Sequence, residues 1–153
     1  MKRFNHVVNA LLPVADAFAG TVYSDVINMK NWNHAQFVIQ KGAGAVGTAT
    51  ITVEACDDVV PTNVSAVPFK YQKCTSGDTF GELTAAEATG FATTAGANQM
   101  YKIEVDSDAL VVSGYSYIRL KSVEVVDDPV LGGILAVLTE PRYSNEVPDT
   151  AIV

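Results

Sequence analysis

The residues that could carry out chemistry are few and lie far apart in the sequence. Only two histidines are present, His6 and His34, and neither has a Cys or acidic neighbour at the spacing of metal ligands. No serine lies in a recognisable nucleophile motif, and no base is placed to activate one. We therefore expect no catalytic residue, no metal site and no cofactor.

Acidic residues form three short groups, at residues 57–58, 106–108 and 127–128. Carboxylates can bind a hard cation such as calcium, but none of these groups has the EF-hand spacing. Each lies where a strand is expected to end, and Asp favours turns because its side chain bonds nearby backbone amides. The pattern predicts turns in all three places.

A glycine-rich segment, residues 42–47, superficially resembles a dinucleotide-binding fingerprint. That motif must be followed by a helix. Here residues 48–56 alternate between apolar and polar types instead, as a strand with one buried face does. The segment therefore predicts the loop of a β-hairpin that joins residues 35–40 to residues 48–56.

The composition excludes several classes of partner. The net charge of −7, with scattered Lys and Arg, argues against a nucleic-acid-binding face. No apolar run is long enough to span a membrane. Lys2 and Arg3 before an apolar-leaning stretch weakly resemble a signal peptide, but polar residues interrupt that stretch and we expect no cleavage. Cys56 and Cys74 predict reduced thiols, although a bridge between strand ends is geometrically conceivable.

About eight short strands with turn signals between them predict one all-β domain, a β-sandwich of jelly-roll type. We divide the chain into an N-terminal arm (1–20), a sandwich (21–143) and a C-terminal tail (144–153). Residues 22–29 are expected to form one strand, and a capping-box spacing predicts a short helix from Thr84. The apolar face is expected to switch sides near Ser122.

The candidate contact residues are apolar or aromatic and lie in the arm, the tail or between strands. Apolar residues without a helical or strand period pack against either the domain's own core or a neighbouring subunit, and aromatic residues are enriched at interfaces. For any single aromatic residue, core packing is at least as good an explanation. The candidates are Val7, Val8, Leu11, Leu12, Trp32, Tyr143, Ile152 and Val153.

The chain resembles the head decoration, or capsid cement, proteins of tailed bacteriophages. The resemblance lies in residues 24–32, 35–39, 50–56, 101–105 and 135–153, the last with Glu140, Arg142 and Tyr143. It implies a protein without enzymatic activity that is made in the host cytoplasm and binds the major capsid protein on the outer capsid surface. It also implies self-association, commonly as a homotrimer.

Two other functions remain open at this point. One is another virion component, such as a tail, head-fibre or receptor-binding module that uses the sandwich to bind host glycans. The other is a small enzyme on a jelly-roll scaffold. That scaffold gathers several His and acidic ligands in one barrel, which two widely separated histidines do not supply.

Overall fold

Two antiparallel sheets packed face to face make up the computed structural model, which describes residues 5–143 and 151–152. The predicted all-β sandwich is confirmed. The strands are β1 (His6–Val14), β2 (Thr21–Tyr23), β3 (Ile27–Asn28), β4 (Trp32–Lys41), β5 (Thr48–Cys56), β6 (Val64–Val67), β7 (Phe69–Cys74), β8 (Thr84–Ala86), β9 (Phe91–Ala92), β10 (Met100–Asp106), β11 (Tyr117–Val126) and β12 (Gly132–Pro141).

The first sheet has the strand order β1-β12-β4-β10-β7-β8. The second sheet has the order β2-β11-β5-β6, with β3 also paired to β11 and β9 to β5. Long strand pairings lie at the centre of each sheet. In the first sheet β4 lies between β12 and β10, and in the second sheet β11 lies along β5. Strands distant in sequence thus lie side by side in both sheets, β1 beside β12 in the first and β2 beside β11 in the second.

The core lies between the sheets and follows the two-residue alternation. Phe37 and Ile39 of β4 face inward beside Tyr101 and Ile103 of β10, and all four are fully buried. The second sheet contributes inward-facing residues of β5 and β11, including Ile51, Val53, Ile118 and Leu120. Burying a side chain of this size stabilises the fold by about 1.5–3 kcal/mol, so this alternation specifies the inner face.

The predicted hairpin between β4 and β5 is wrong, because these strands belong to different sheets. The glycine-rich loop crosses from one sheet to the other and passes close to the β11–β12 loop. Gly44 has φ of +120°, and a Cβ at this position would lie 2.6 Å from the carbonyl oxygen of Pro129. The glycines therefore permit a crossing and a close backbone contact, and a strand follows them, as predicted.

The helix predicted from Thr84 is also wrong, because residues 84–86 form β8. Ala86 pairs with Phe69 at the edge of the first sheet and is buried there, so tertiary packing overrides the local capping pattern. Within the described part of the chain, the one helical element is a 3₁₀ helix, Ser107–Leu110, in the place of the turn predicted at residues 106–108.

In β11, the apolar face does not switch sides at Ser122 as predicted. Ser122 continues the buried face of Ile118 and Leu120, whereas Val123 and Val125 point outward and are exposed. The register shift comes later, between Glu124 and Val126. Apolar type alone misplaced the face, because here a serine is inside and valines are outside.

The N-terminal segment differs from the predicted arm. Residues 6–14 form β1, which pairs with β12 as the terminal strand of the first sheet. Val8 and Ala10 are buried in the core, so this part of the segment packs against its own domain. The strand expected at residues 22–29 is divided into β2 and β3. Of the predicted tail, residues 151–152 alone lie among the described residues, and Ile152 pairs with Ile27.

Candidate interaction surfaces

The predicted contact residues divide into an exposed group and a buried group. Val7 and Leu12 on β1 and Tyr143 after β12 are exposed, whereas Leu11 and Ile152 are partly buried against the core. Val153 lies outside the described residues. The first three side chains are therefore available to a partner on the surface of the single chain.

Val8 and Trp32 need correction, because both side chains belong to the core. Trp32 is only 2% exposed, and its ring stacks on His6 with the ring centroids 6.2 Å apart. Trp32 also pairs with Pro141, and Arg142 donates its backbone N–H to the carbonyl of Asn31. The tryptophan thus fixes the start of β1 and the end of β12 rather than presenting a contact surface.

The outer face of the second sheet carries a row of charged and aromatic side chains. The Arg119 guanidinium lies 2.7 Å from the Glu54 carboxylate and 3.9 Å from the centre of the Tyr23 ring. Lys121 lies 3.5 Å from the same carboxylate. Tyr117, Arg119 and Lys121 alternate with the buried residues of β11 and therefore share this face, a feature that the sequence alternation shows. It could not show the partners, which come from β2 and β5.

The row continues toward the β3–β4 turn. Lys30 Nζ donates a hydrogen bond of 3.1 Å to the Tyr117 hydroxyl and lies 5.0 Å from the centre of that ring. The row therefore offers positive charge and aromatic surface together on a chain whose net charge is negative.

The outer face of the first sheet holds a hydrogen-bonded network around His34. Its Nε2 lies 2.7 Å from Glu104, and its Nδ1 lies 2.8 Å from the Thr139 hydroxyl. The Gln36 amide donates to the other Glu104 oxygen at 2.6 Å. The hydrogen bond with Glu104 raises the pKa of His34 despite partial burial, and the same bond lowers the pKa of Glu104.

Sequence reasoning missed this network because the partners lie far apart in the chain. His34, Glu104 and Thr139 lie on three adjacent strands, and only the register of β4 with β10 and β12 brings them together. The arrangement joins a charged pair across the face of the sheet. It can anchor the three strands to one another.

Hydrogen bonds within its own loop hold the Asp57 carboxylate, and the two cysteine thiols are buried. The side chains and backbone N–H groups of Asn63 and Thr62 donate hydrogen bonds to the Asp57 carboxylate, which holds its pKa well below the ordinary value. The predicted turn is confirmed at this aspartate. Cys56 and Cys74 are free and buried, and burial raises the pKa of Cys56 to about 11.

Among residues 5–143 and 151–152, no three His, Cys, Asp or Glu side chains gather in a group that could hold a metal ion. In the same residues, no helix has the length and apolar character needed to cross a membrane.

Comparison with known proteins gives a similarity of fold. No protein-family model and no curated protein sequence matches the chain. The structure is similar to the crystal structure of SPBc2 prophage-derived protein YomS, with a TM-score of 0.53 and 11% identity, over 92% of this chain and 96% of that one. At this identity the likeness shows a shared fold.

A weaker match is to the VP2 protein of infectious bursal disease virus. Its TM-score is 0.26 at 9% identity, over 92% of this chain and 41% of that one. A score this low carries no argument about either fold or function.

Proposed function

We propose that this protein is a structural component of a tailed-phage virion, a decoration protein that binds the outer surface of the major capsid shell and stabilises it. The observation that carries the proposal is the shared fold with a prophage-derived protein over nearly the full length of both chains. The resemblance of the sequence to capsid cement proteins supports the same function.

The first sheet offers a suitable contact for a shell subunit. Val7 and Leu12 extend along its terminal strand as exposed apolar side chains, and Tyr143 is exposed beyond the end of β12. Apolar and aromatic groups on a rigid strand contribute to binding with little loss of conformational freedom. Several such contacts on neighbouring subunits combine into tight attachment through effective concentration.

The proposal includes the remaining partners and the location. The protein is made in the host cytoplasm, associates with itself, as a homotrimer, and acts through its surface without a cofactor or catalysis. A net charge of −7 keeps the free protein soluble and opposes binding to nucleic acid. No membrane contact is part of the proposal.

Co-sedimentation with intact, expanded and undecorated capsids tests the proposal. We expect saturable binding by the wild-type protein, and weaker binding when Val7→Asp and Leu12→Asp are combined. Val60→Asp is the matched control, because Val60 is also exposed but lies in the β5–β6 loop, away from β1. Absence of co-sedimentation with intact capsids would contradict the proposal.

A second candidate function is a glycan-binding module elsewhere on the virion. The observation that favours it is the exposed Tyr23 ring stacked on Arg119, since aromatic rings with adjacent charged groups can contact sugars. Gold labelling of virions separates the two functions. Label over the head supports the decoration protein, and label confined to the tail supports the glycan-binding module.

A further inference from the structure

The 3₁₀ helix lies between two grooves at one end of the sandwich. Ser107 and Leu110 line one groove, and Asp108 and Ala109 line the other. Each groove has a volume of about 290 Å³. The two grooves are therefore neighbouring concave surfaces of similar size that share one wall.

The first groove is basic. Lys30 and Arg142 line it, together with the tyrosine and serine side chains of Tyr115 and Ser116. Lys30 Nζ donates to the Tyr117 hydroxyl and Arg142 Nε donates to the Trp32 carbonyl at 3.5 Å, but among the described residues neither cation belongs to an ion pair. We call this surface the basic groove. It presents two cations and hydroxyl groups that suit incoming carboxylates.

The second groove is acidic. Glu87, Glu104, Asp106 and Asp108 line it, with Lys70 as the basic residue of its lining. Glu104 is paired with His34, but none of the other three carboxylates forms an ion pair with a described residue. We call this surface the acidic groove. Its charge is opposite to that of the basic groove across the 3₁₀ helix.

Exposed apolar residues lie in the loop that follows the 3₁₀ helix. Val111 is 74% exposed and Val112 is 98% exposed, and Val111 also lines the basic groove. Two adjacent valines in water next to complementary charged grooves are a combination typical of protein contact surfaces, which have an apolar centre and a polar rim.

We propose that a second copy of this chain docks here head to tail, with the exposed valines at the rim of one copy's basic groove seated in the acidic groove of the next, where its cations meet the carboxylates. The charges identify the docking partner as a second copy, because each copy carries both a basic groove and an acidic groove, and these two surfaces are complementary in charge. Since the two grooves are different surfaces, the contact is heterologous and closes into a ring when the rotation between copies permits it. The proposal rests on the self-association within the proposed function and is independent of capsid binding.

Charge reversal of each groove tests the proposal, with sedimentation velocity of the full chain as the measurement. The basic-groove variant combines Lys30→Glu with Arg142→Glu, and the acidic-groove variant combines Glu87→Lys with Asp108→Lys. We expect each variant alone to associate at least tenfold more weakly than wild type, because like charges then face each other. High salt should weaken wild-type association as well.

Mixing the two variants gives the decisive result. The basic-groove variant keeps a native acidic groove and the acidic-groove variant keeps a native basic groove, so an equimolar mixture should associate again through alternating contacts, as one-to-one heterodimers and other species with an even number of subunits. A variant that had merely misfolded would not be rescued. The control Asp78→Lys with Glu82→Lys changes the net charge as the acidic-groove variant does, but in the β7–β8 loop, and should associate like wild type.

Two outcomes overturn the proposal: a wild-type protein that stays monomeric at every concentration, or a mixture that stays as dissociated as its components. Capsid co-sedimentation of the same variants is scored separately. Monomeric variants that still bind capsids at reduced strength would support the groove contact and leave the decoration function standing. Loss of capsid binding by the wild-type protein would contradict only the decoration function.

Discussion

The polar side chains at the two ends of the sandwich differ in how deeply they are buried and in what they bond to. At the glycine-rich end, formed by residues 42–47, 93–99 and 127–131, the side chains of Lys41, Gln99 and Tyr101 are buried and bonded within the chain. Lys41 donates from its ammonium to the carbonyls of Gly47 and Thr94, at 3.1 and 2.9 Å. At the helical end, formed by residues 29–31, 107–116 and 142–143, charged and apolar side chains face solvent.

This difference separates groups that hold the fold from groups available to a partner. The Tyr101 hydroxyl at the glycine-rich end is fully buried, donates to Gln99 at 2.7 Å and accepts from the Thr94 N–H at 2.9 Å. A buried polar group without such partners would destabilise the fold. At the helical end, Val112 is 98% exposed, and the hydrogen bond from Lys30 to the Tyr117 hydroxyl lies on the surface, so substitutions at these two residues should leave folding intact.

Alanine substitution of one glycine at each end should give the largest difference in the free energy of unfolding. Gly44→Ala places a Cβ 2.6 Å from a backbone oxygen at a φ of +120°, whereas Gly114 has φ of +71° with nothing within 4 Å of its Cβ. We expect Gly44→Ala to lower the free energy of unfolding by about 3 kcal/mol or more, from clash and strain together. Gly114→Ala should cost about 1–2 kcal/mol from strain alone. Urea titration measures both, and equal costs would contradict the comparison.

Phenylalanine substitution of one tyrosine at each end should give a smaller difference in the free energy of unfolding. Tyr101→Phe removes one hydroxyl and leaves the Gln99 oxygen and the Thr94 N–H without that partner, so it should cost about 2 kcal/mol. Tyr143→Phe, at an exposed ring of the helical end, should stay within about 0.5 kcal/mol of wild type. Thermal and urea unfolding of the two variants check this. A Tyr101→Phe protein as stable as wild type would mean that the glycine-rich end is not held by this network.

The His34–Glu104 pair, on the outer face of the first sheet, should give a pH-dependent effect below about 1 kcal/mol. The raised pKa of His34 adds stability that is present below its ordinary value of 6.5 and is lost as pH rises through the folded value. The lowered pKa of Glu104 adds stability that is present above 4.5 and is lost as pH falls through its folded value. The contribution of the pair should therefore be greatest between these two values.

Unfolding free energies of wild type and His34→Gln, measured at about pH 5.5 and about pH 8.5, test this contribution. The variant should lose more stability at the lower pH than at the higher one. An equal loss at both would show that the histidine acts through packing rather than charge.

Substitution of the exposed valines should have the smallest effect on folding. Val112→Asp and Val111→Ser should leave the free energy of unfolding within about 0.5 kcal/mol of wild type. The same substitutions should weaken self-association in sedimentation velocity, because these side chains lie at the proposed contact. A large loss of stability would place the valines in the core and remove the contrast between the ends.

The sequence predicts the faces of most strands better than their partners. The two-residue alternation of β10 and β11 is visible in the sequence, and it places Ile103 and Leu120 inside and Arg119 outside, as the structure does. It could not show that β4 and β5 belong to different sheets, because a glycine-rich loop of this length serves equally for a hairpin or a crossing. Ser122 shows the other limit, since packing placed a hydroxyl inside and a neighbouring valine outside.

The candidate surfaces were harder to predict for the same reason. Trp32 is of a residue type that is enriched at interfaces, but the pairing of β1 and β12 around it buries the ring. The basic and acidic grooves combine residues from segments as distant as 29–30, 85–87, 107–116 and 142. No local spacing marks such groups, and only the strand order brings them to the same end.

The copy number of the protein in purified virions of the phage that would encode it tests the central claim most directly. A protein that stabilises the shell from outside must occupy repeated positions of the capsid lattice. The account predicts copies on the order of hundreds per particle, as a closed symmetric shell requires. A handful of copies, or none, would contradict it.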